Sequence, residues 1–80
     1  MKTIQYLCDL APGQHGVVTA VTAGGSIGRR FLDIGLTPGT VVSCVGRSPC
    51  GDPSAYLIRG AVIAIRSCDG RGVAIRAVAP

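Results

Sequence analysis

The hydrophobic and polar positions change their period along the chain. From Val17 to Thr22 the run VVTAVT sets β-branched residues side by side, which reads as a strand. Beyond it the period lengthens. Ile27, Phe31 and Ile34 fall at i, i+4 and i+7, one apolar stripe of a helix, and Arg29, Arg30 and Asp33 lie off that stripe, facing water. From Val41 on, short β-branched runs return as VVSCVG, AYLIRG, AVIAIR and VAIRAV. Ile63 and Ile65 alternate with Val62, Ala64 and Arg66, and Val73 and Ile75 with Ala74 and Arg76, so the arginine faces are assigned to solvent.

Punctuation between these runs sharpens the elements. Leu7 and Leu10 precede Pro12-Gly13 and Gly16, a lead-in and not a helix. Ser26 can cap the helix N-terminus, and Gly35 suits its C-terminus because glycine takes left-handed backbone angles. Leu36 then folds back on the last turn. Gly28 lowers helix propensity, so the helix is short and depends on packing. Thr37-Pro38-Gly39-Thr40 fits a type II turn. Gly60 is read as a kink or bulge within a bent strand, and Asp69-Gly70 as a turn. About five short strands and one short helix predict a mainly β fold, a small curled barrel filling a single domain over residues 1–80.

Composition agrees with that class. The hydrophobic fraction is 48%, carried mostly by Val, Ile and Ala, with one Phe, two Tyr and no Trp; such residues suit half-buried pleated surfaces. No run approaches the roughly 18 apolar residues of a membrane span. The opening MKTIQYLCDL lacks the apolar stretch of a secretion signal, so the expected compartment is the cytoplasm, where thiols stay reduced. Net charge is +4 with no Glu. The arginines are scattered, only Arg29 and Arg30 adjoin, and no aromatic residues interleave with them, so no nucleic-acid platform is expected.

Candidate chemistry is sparse. The four cysteines, Cys8, Cys44, Cys50 and Cys68, form no C-x-x-C pair, and His15 is the single histidine. Structural metal sites are recognised by close ligand pairs, so no metal site and no cofactor are assigned. Cys44, on a strand, reads as a small buried apolar residue. Cys8, Cys50 and Cys68 remain the thiols of an alternative reading, a metal-binding or redox-responsive protein. His15 lacks a recognisable nucleophile and orienting acid, no serine stands in a G-x-S-x-G setting, and Gly24-Gly25 is not followed by Lys-Ser/Thr; no catalytic residue is assigned and no enzyme is expected.

Three stretches taken in order resemble the FeoA family, the ferrous iron transport protein A domain of bacteria. LCDLAPGQHGVV resembles its opening L-x-x-L-x-P-G pattern. RRFLDIGLTPGT resembles its R-L-x-D/E-L-G-L-x-P-G signature, with Phe31 in the usual Leu place. PCGDPSAYLIRGAVIAIR resembles its P-x-G-D-P loop and following G-x-x-I-A-L-R strand, with Ile65 for Leu. The resemblance implies an SH3-like small barrel with an inserted short helix. It also implies a cytosolic accessory protein, without enzymatic activity, for the ferrous iron transporter FeoB, peripheral to the membrane through that partner. Similar domains end DtxR-type metal-dependent repressors, so a detached repressor module is a further alternative. Transition-metal binding is attached to the family, but the cysteines here are not part of its motif. Pro49-Cys50-Gly51-Asp52-Pro53 accordingly reads as a shaped connection more than a metal clasp, since a Cys and an Asp are too few ligands. The expected partner-binding residues, chosen for exposure, are Arg29, Arg30, Asp52 and Arg59.

Overall fold

A computed structural model describes residues 5–78. The opening residues on which the absence of a secretion signal partly rests, 1–4, lie outside the described part, as do 79 and 80. Six strands form one antiparallel sheet: β1 (Gln5–Tyr6), β2 (His15–Val21), β3 (Val41–Arg47), β4 (Ser54–Ile58), β5 (Ala61–Ile65) and β6 (Val73–Val78), in the order β1-β6-β2-β3-β4-β5. Helix α1 (Gly25–Asp33) joins β2 to β3, a 3-10 turn (Leu7–Asp9) follows β1, and a single helical turn α2 (Ser67–Gly70) joins β5 to β6. The mainly β reading with one inserted helix holds. The strand count rises from five to six because Gln5–Tyr6, just ahead of the lead-in, pairs with β6.

Inward side chains of alternate strand positions supply the core: Val18 from β2, Val42 and Cys44 from β3, Tyr56 and Ile58 from β4, Ile65 from β5, Val73 and Ile75 from β6. Leu7 and Leu10 plug one side, and Phe31 and Leu36 cover another. Cys44 is buried as its strand position suggested. Arg66 and Arg76 are exposed, as the alternation required.

Three local expectations are corrected. The helix begins two residues earlier than a Ser26 cap allows: Gly24 is the N-cap, makes no side-chain cap, and is followed by Gly25 at φ +64°. A side chain at position 25 would oppose that backbone, so the entry depends on glycine and not on a capping hydroxyl. Arg59-Gly60 does not kink one bent strand. Both residues have positive φ, 49° and 84°, the signature of a type I′ turn, and Ile58 pairs with Ala61 across it, so β4 and β5 are a tight hairpin. Asp69-Gly70 lies within a helical turn, in which Asp69 and Gly70 donate to the Arg66 carbonyl at 3.0 and 2.9 Å.

The end of α1 follows its expectation closely. Gly35, at φ +104°, donates to Leu32 O at 3.1 Å, and Leu36 donates to Phe31 O at 2.9 Å, the paired bonds of a Schellman cap. Leu36 is thereby turned into the core. Thr40 N donates to Thr37 O at 3.0 Å with Gly39 at φ +93°, as a type II turn needs, and Gly39 N donates to Val18 O at 2.7 Å, fastening that turn to β2.

Candidate docking groove and cysteine positions

Helix α1 meets the sheet differently on its two sides. Toward the start of β6 its backbone is jammed against the chain: a Cβ on Gly28 would lie 2.0 Å from the Ala23 carbonyl oxygen, and one on Gly72 would lie 2.5 Å from Ala23 Cβ. Toward β5 the helix stands away from the strand and leaves an open groove of about 320 Å³. Ile27, Phe31 and Ile34, the stripe read from the sequence, form the helix wall, and Ile63 and Ile65 contribute to the strand wall. The stripe is therefore only partly core. Phe31 is 4% exposed, Ile27 is 37% exposed, and the difference is the mouth of the groove.

The four expected partner-binding residues are distributed around this feature unevenly. Arg30 lines the groove, with Arg66 across from it and Asp69 also on its wall. Arg29, one residue and about 100° further round the helix, lines a second, more open depression of about 440 Å³ with Ala23, Gly28, Leu32 and Pro38, on the flank where Gly28 meets Ala23. Arg59, at the hairpin tip that begins β5, lays its side chain where a Cβ on Gly35 would stand 2.2 Å from its Cδ; it packs over the helix end. Asp52 is exposed, but its carboxylate accepts a 2.8 Å hydrogen bond from Ser67 N. It ties the loop before β4 to the first turn of α2, next to Pro53 on the groove wall. The peptide bond between Asp52 and Pro53 is cis. Arg66 and Asp69 were not marked from sequence. Scattered arginines carry no pattern, and only the return of the chain through α2 brings these two beside the helix.

Arg47 also escaped notice. Its guanidinium donates to Leu10 O at 2.8 Å and to Ser54 Oγ at 3.0 Å, joining the lead-in to the β3–β4 ladder. His15 Nδ1 lies 2.6 Å from Ser43 Oγ across β2 and β3. The pair is exposed, and among the described residues no hydrogen bond engages Nε2, so no orienting acid completes a catalytic relay.

All four cysteines are free thiols. Cys50 and Cys68 are exposed. Cys8 is half-buried against α2, where a Cβ on Gly70 would lie 3.1 Å from its own. Burial, and next the Asp9 charge, push its thiol above the usual range, with Arg71 partly opposing. Among the described residues no group of three or more His, Cys, Asp or Glu is placed to hold a metal ion.

Similarity to known proteins follows the same outline. A model of the FeoA domain matches residues 6–77. The FeoA protein of Chlorobium tepidum superposes with a TM-score of 0.86 at 28% identity, over 94% of this chain and 71% of that one. FeoA of Stenotrophomonas maltophilia, solved with zinc and described as a procaryotic SH3 domain protein, gives 0.80 at 25% identity, over 89% of this chain and 88% of that one. A manganese-dependent transcriptional repressor shares the fold alone, with a TM-score of 0.83 at 16% identity over 98% of this chain and 43% of its own. No curated protein matches at a significant level. The sheet and its inserted helix are those of an SH3-like barrel, and the chain, whose three motifs run from Leu7 to Arg66, belongs to the FeoA domain family.

Proposed function

We propose that the chain is a cytoplasmic accessory module of ferrous iron uptake that docks on the cytosolic portion of the membrane transporter FeoB and acts there by contact, without catalysis of its own. The observation that carries this reading is the groove between α1 and β5: apolar walls left open to solvent and rimmed by Arg30 and Arg66, on a domain of the FeoA family. Apolar area exposed in a concave, charge-rimmed setting is what an interface needs. Among the described residues no helix is long and apolar enough to cross a membrane, which agrees with attachment through a partner. The +4 charge supports the encounter, because long-range attraction to an acidic partner or an anionic leaflet raises association rates.

A thiol-based metal or redox role has less support. Cys44 is buried, the other three thiols belong to no group of three or more potential ligands among the described residues, and Cys8 is harder to ionise than an ordinary thiol. The repressor-module alternative has fold likeness alone behind it.

Surface plasmon resonance with the immobilised cytosolic portion of FeoB tests the proposal. Wild-type chain should bind. Arg30→Glu, on the groove, should slow association by roughly tenfold at low salt and less at high salt, whereas Arg29→Glu, on the other flank of the helix and outside the groove, should change it less. Absence of wild-type binding would refute the docking role, and equal effects of the two variants would remove the groove as its seat.

A further inference from the structure

The outer edge of β5 is bare. Among the described residues β5 pairs only with β4, and the sheet ends there. The hairpin register says which groups are unused. Ile58 and Ala61 close a two-residue turn and exchange both their hydrogen bonds, so by the alternation of antiparallel ladders Ala61, Ile63 and Ile65 direct their N–H and C=O groups to β4. Val62 and Ala64 direct theirs away from it, and neither makes a backbone hydrogen bond elsewhere among the described residues. Edge strands of this kind are normally blunted by a charge, a proline or a bulge. Here the strand is Ala61-Val62-Ile63-Ala64-Ile65, with none of these. Its free edge opens onto the groove, since Ala64 is among the lining residues and Ile27, Phe31 and Ile34 face it from the helix.

We propose that this slot takes an extended segment of another protein, apolar at alternate positions and carrying a carboxylate, which adds to the sheet as a seventh strand beside β5. Val62 and Ala64 offer two N–H donors and two carbonyl acceptors to its backbone. Alternate side chains of the incoming strand point to one face and rest on Ile27, Phe31 and Ile63. The carboxylate is required by the rim, where two guanidiniums, Arg30 and Arg66, stand against one acid, Asp69. A strand fits this site better than a helix because the helix wall is already occupied by α1 and the unsatisfied groups are those of a sheet edge. Among the described residues no acid-bearing apolar stretch is free to supply the segment to a second copy. Such stretches, Leu7–Leu10 and Phe31–Ile34, are folded with Leu7, Leu10 and Phe31 in the core, and a second copy would present an equally cationic groove. The inference deepens the docking reading by naming the kind of segment recognised, and it is tested on peptides so that the two can fail separately.

The test is a titration of isotope-labelled chain, followed by amide chemical shifts, with three synthetic octapeptides. One alternates valine with threonine and carries two glutamates at threonine positions; one carries lysines there; one is polyproline. The glutamate peptide should move the amides of Val62, Ala64, Ile27 and Arg30, and the lysine peptide should bind at least about tenfold more weakly, the equivalent of losing one favourable contact. Ala64→Pro removes an N–H that faces away from β4, a position where an edge strand tolerates proline, and should weaken the glutamate peptide by about tenfold. Should that variant misfold, glutamate peptides N-methylated on one edge or the other replace it, and only one of the two should lose binding. The inference is overturned by no groove shifts at about 1 mM peptide, by equal binding of the lysine peptide, by preference for polyproline, by indifference to both Ala64→Pro and N-methylation, or by concentration-dependent self-association that protects the β5 edge. If FeoB binds Ala64→Pro as well as wild type, the strand-addition inference fails and the docking proposal stands. If FeoB does not bind wild type while the glutamate peptide does, the reverse holds.

Discussion

The two flanks of α1 are built on opposite terms. On the flank near Ala23 and Gly72 there is no space for even a methyl group on Gly28; on the flank near β5 there is a groove of about 320 Å³. The same nine-residue helix is thus held by backbone contact at Ala23, beside which a second, more open depression lies, and stands away from the strand on the β5 side. Tight packing fixes where the helix lies, and that fixed position holds the groove open. In a small barrel with one helix, a docking site of this kind is made by what the core does not fill.

Filling the contact between Gly28 and Ala23 should have the largest effect. Gly28→Ala should destabilise by about 3 kcal/mol or prevent folding, at the upper end of the overpacking range, because the obstacle is the Ala23 backbone carbonyl and not a movable side chain. Urea unfolding measures it. A variant as stable as wild type would mean that the helix can move off the sheet, and the groove would lose its fixed wall. Next in size are the glycines that end α1. Gly35→Val and Gly39→Val force β-branched residues to φ near +104° and +93° and should each lose about 1–3 kcal/mol. Gly35→Val should fall toward the upper end, since it must also displace the Arg59 side chain. Gly24→Ala, at φ −99° with open space around it, should lose well under 1 kcal/mol, a cap-glycine effect. Similar losses at all three positions would contradict the turn geometry.

How much of this was legible beforehand follows from the range of the interactions. The Schellman end at Gly35 and the type II turn at Gly39 were readable because each is specified by residues adjacent in sequence. The apolar stripe Ile27–Phe31–Ile34 was readable for the same reason, as periodicity. Gly28 was readable only as a weakness of the helix, since its necessity comes from Ala23 folding back on it, a contact that no local pattern announces. The hairpin was missed because Arg59 is not a residue expected at positive φ. With the hairpin unseen, the β5 edge was unseen too. The groove's second arginine, Arg66, depends in turn on α2, whose Asp-Gly pair suggested a turn and nothing more.

A smaller effect separates the thiols. With excess Ellman's reagent under native conditions, Cys50 and Cys68 should react first, Cys8 more slowly because burial raises its pKa and thins its thiolate population at neutral pH, and Cys44 only on unfolding. Raising the pH should close the gap between Cys8 and the fast pair as its thiol ionises. Elemental analysis of the same reduced sample should show less than one metal per chain. A stoichiometric metal whose removal by chelator unfolds the protein would shift the account to the thiol reading.

Amide hydrogen exchange of the whole chain, with and without the cytosolic portion of FeoB, is the most direct test of the groove as the docking site. The account predicts that Val62 and Ala64, whose N–H groups have no partner among the described residues, slow markedly in the complex together with residues of the α1 wall around Ile27 and Arg30. Protection confined instead to Val41, Val45 and Leu57 on the outer face of the sheet, or to Arg29 and Leu32 across the helix, with Val62 and Ala64 unchanged, would contradict it.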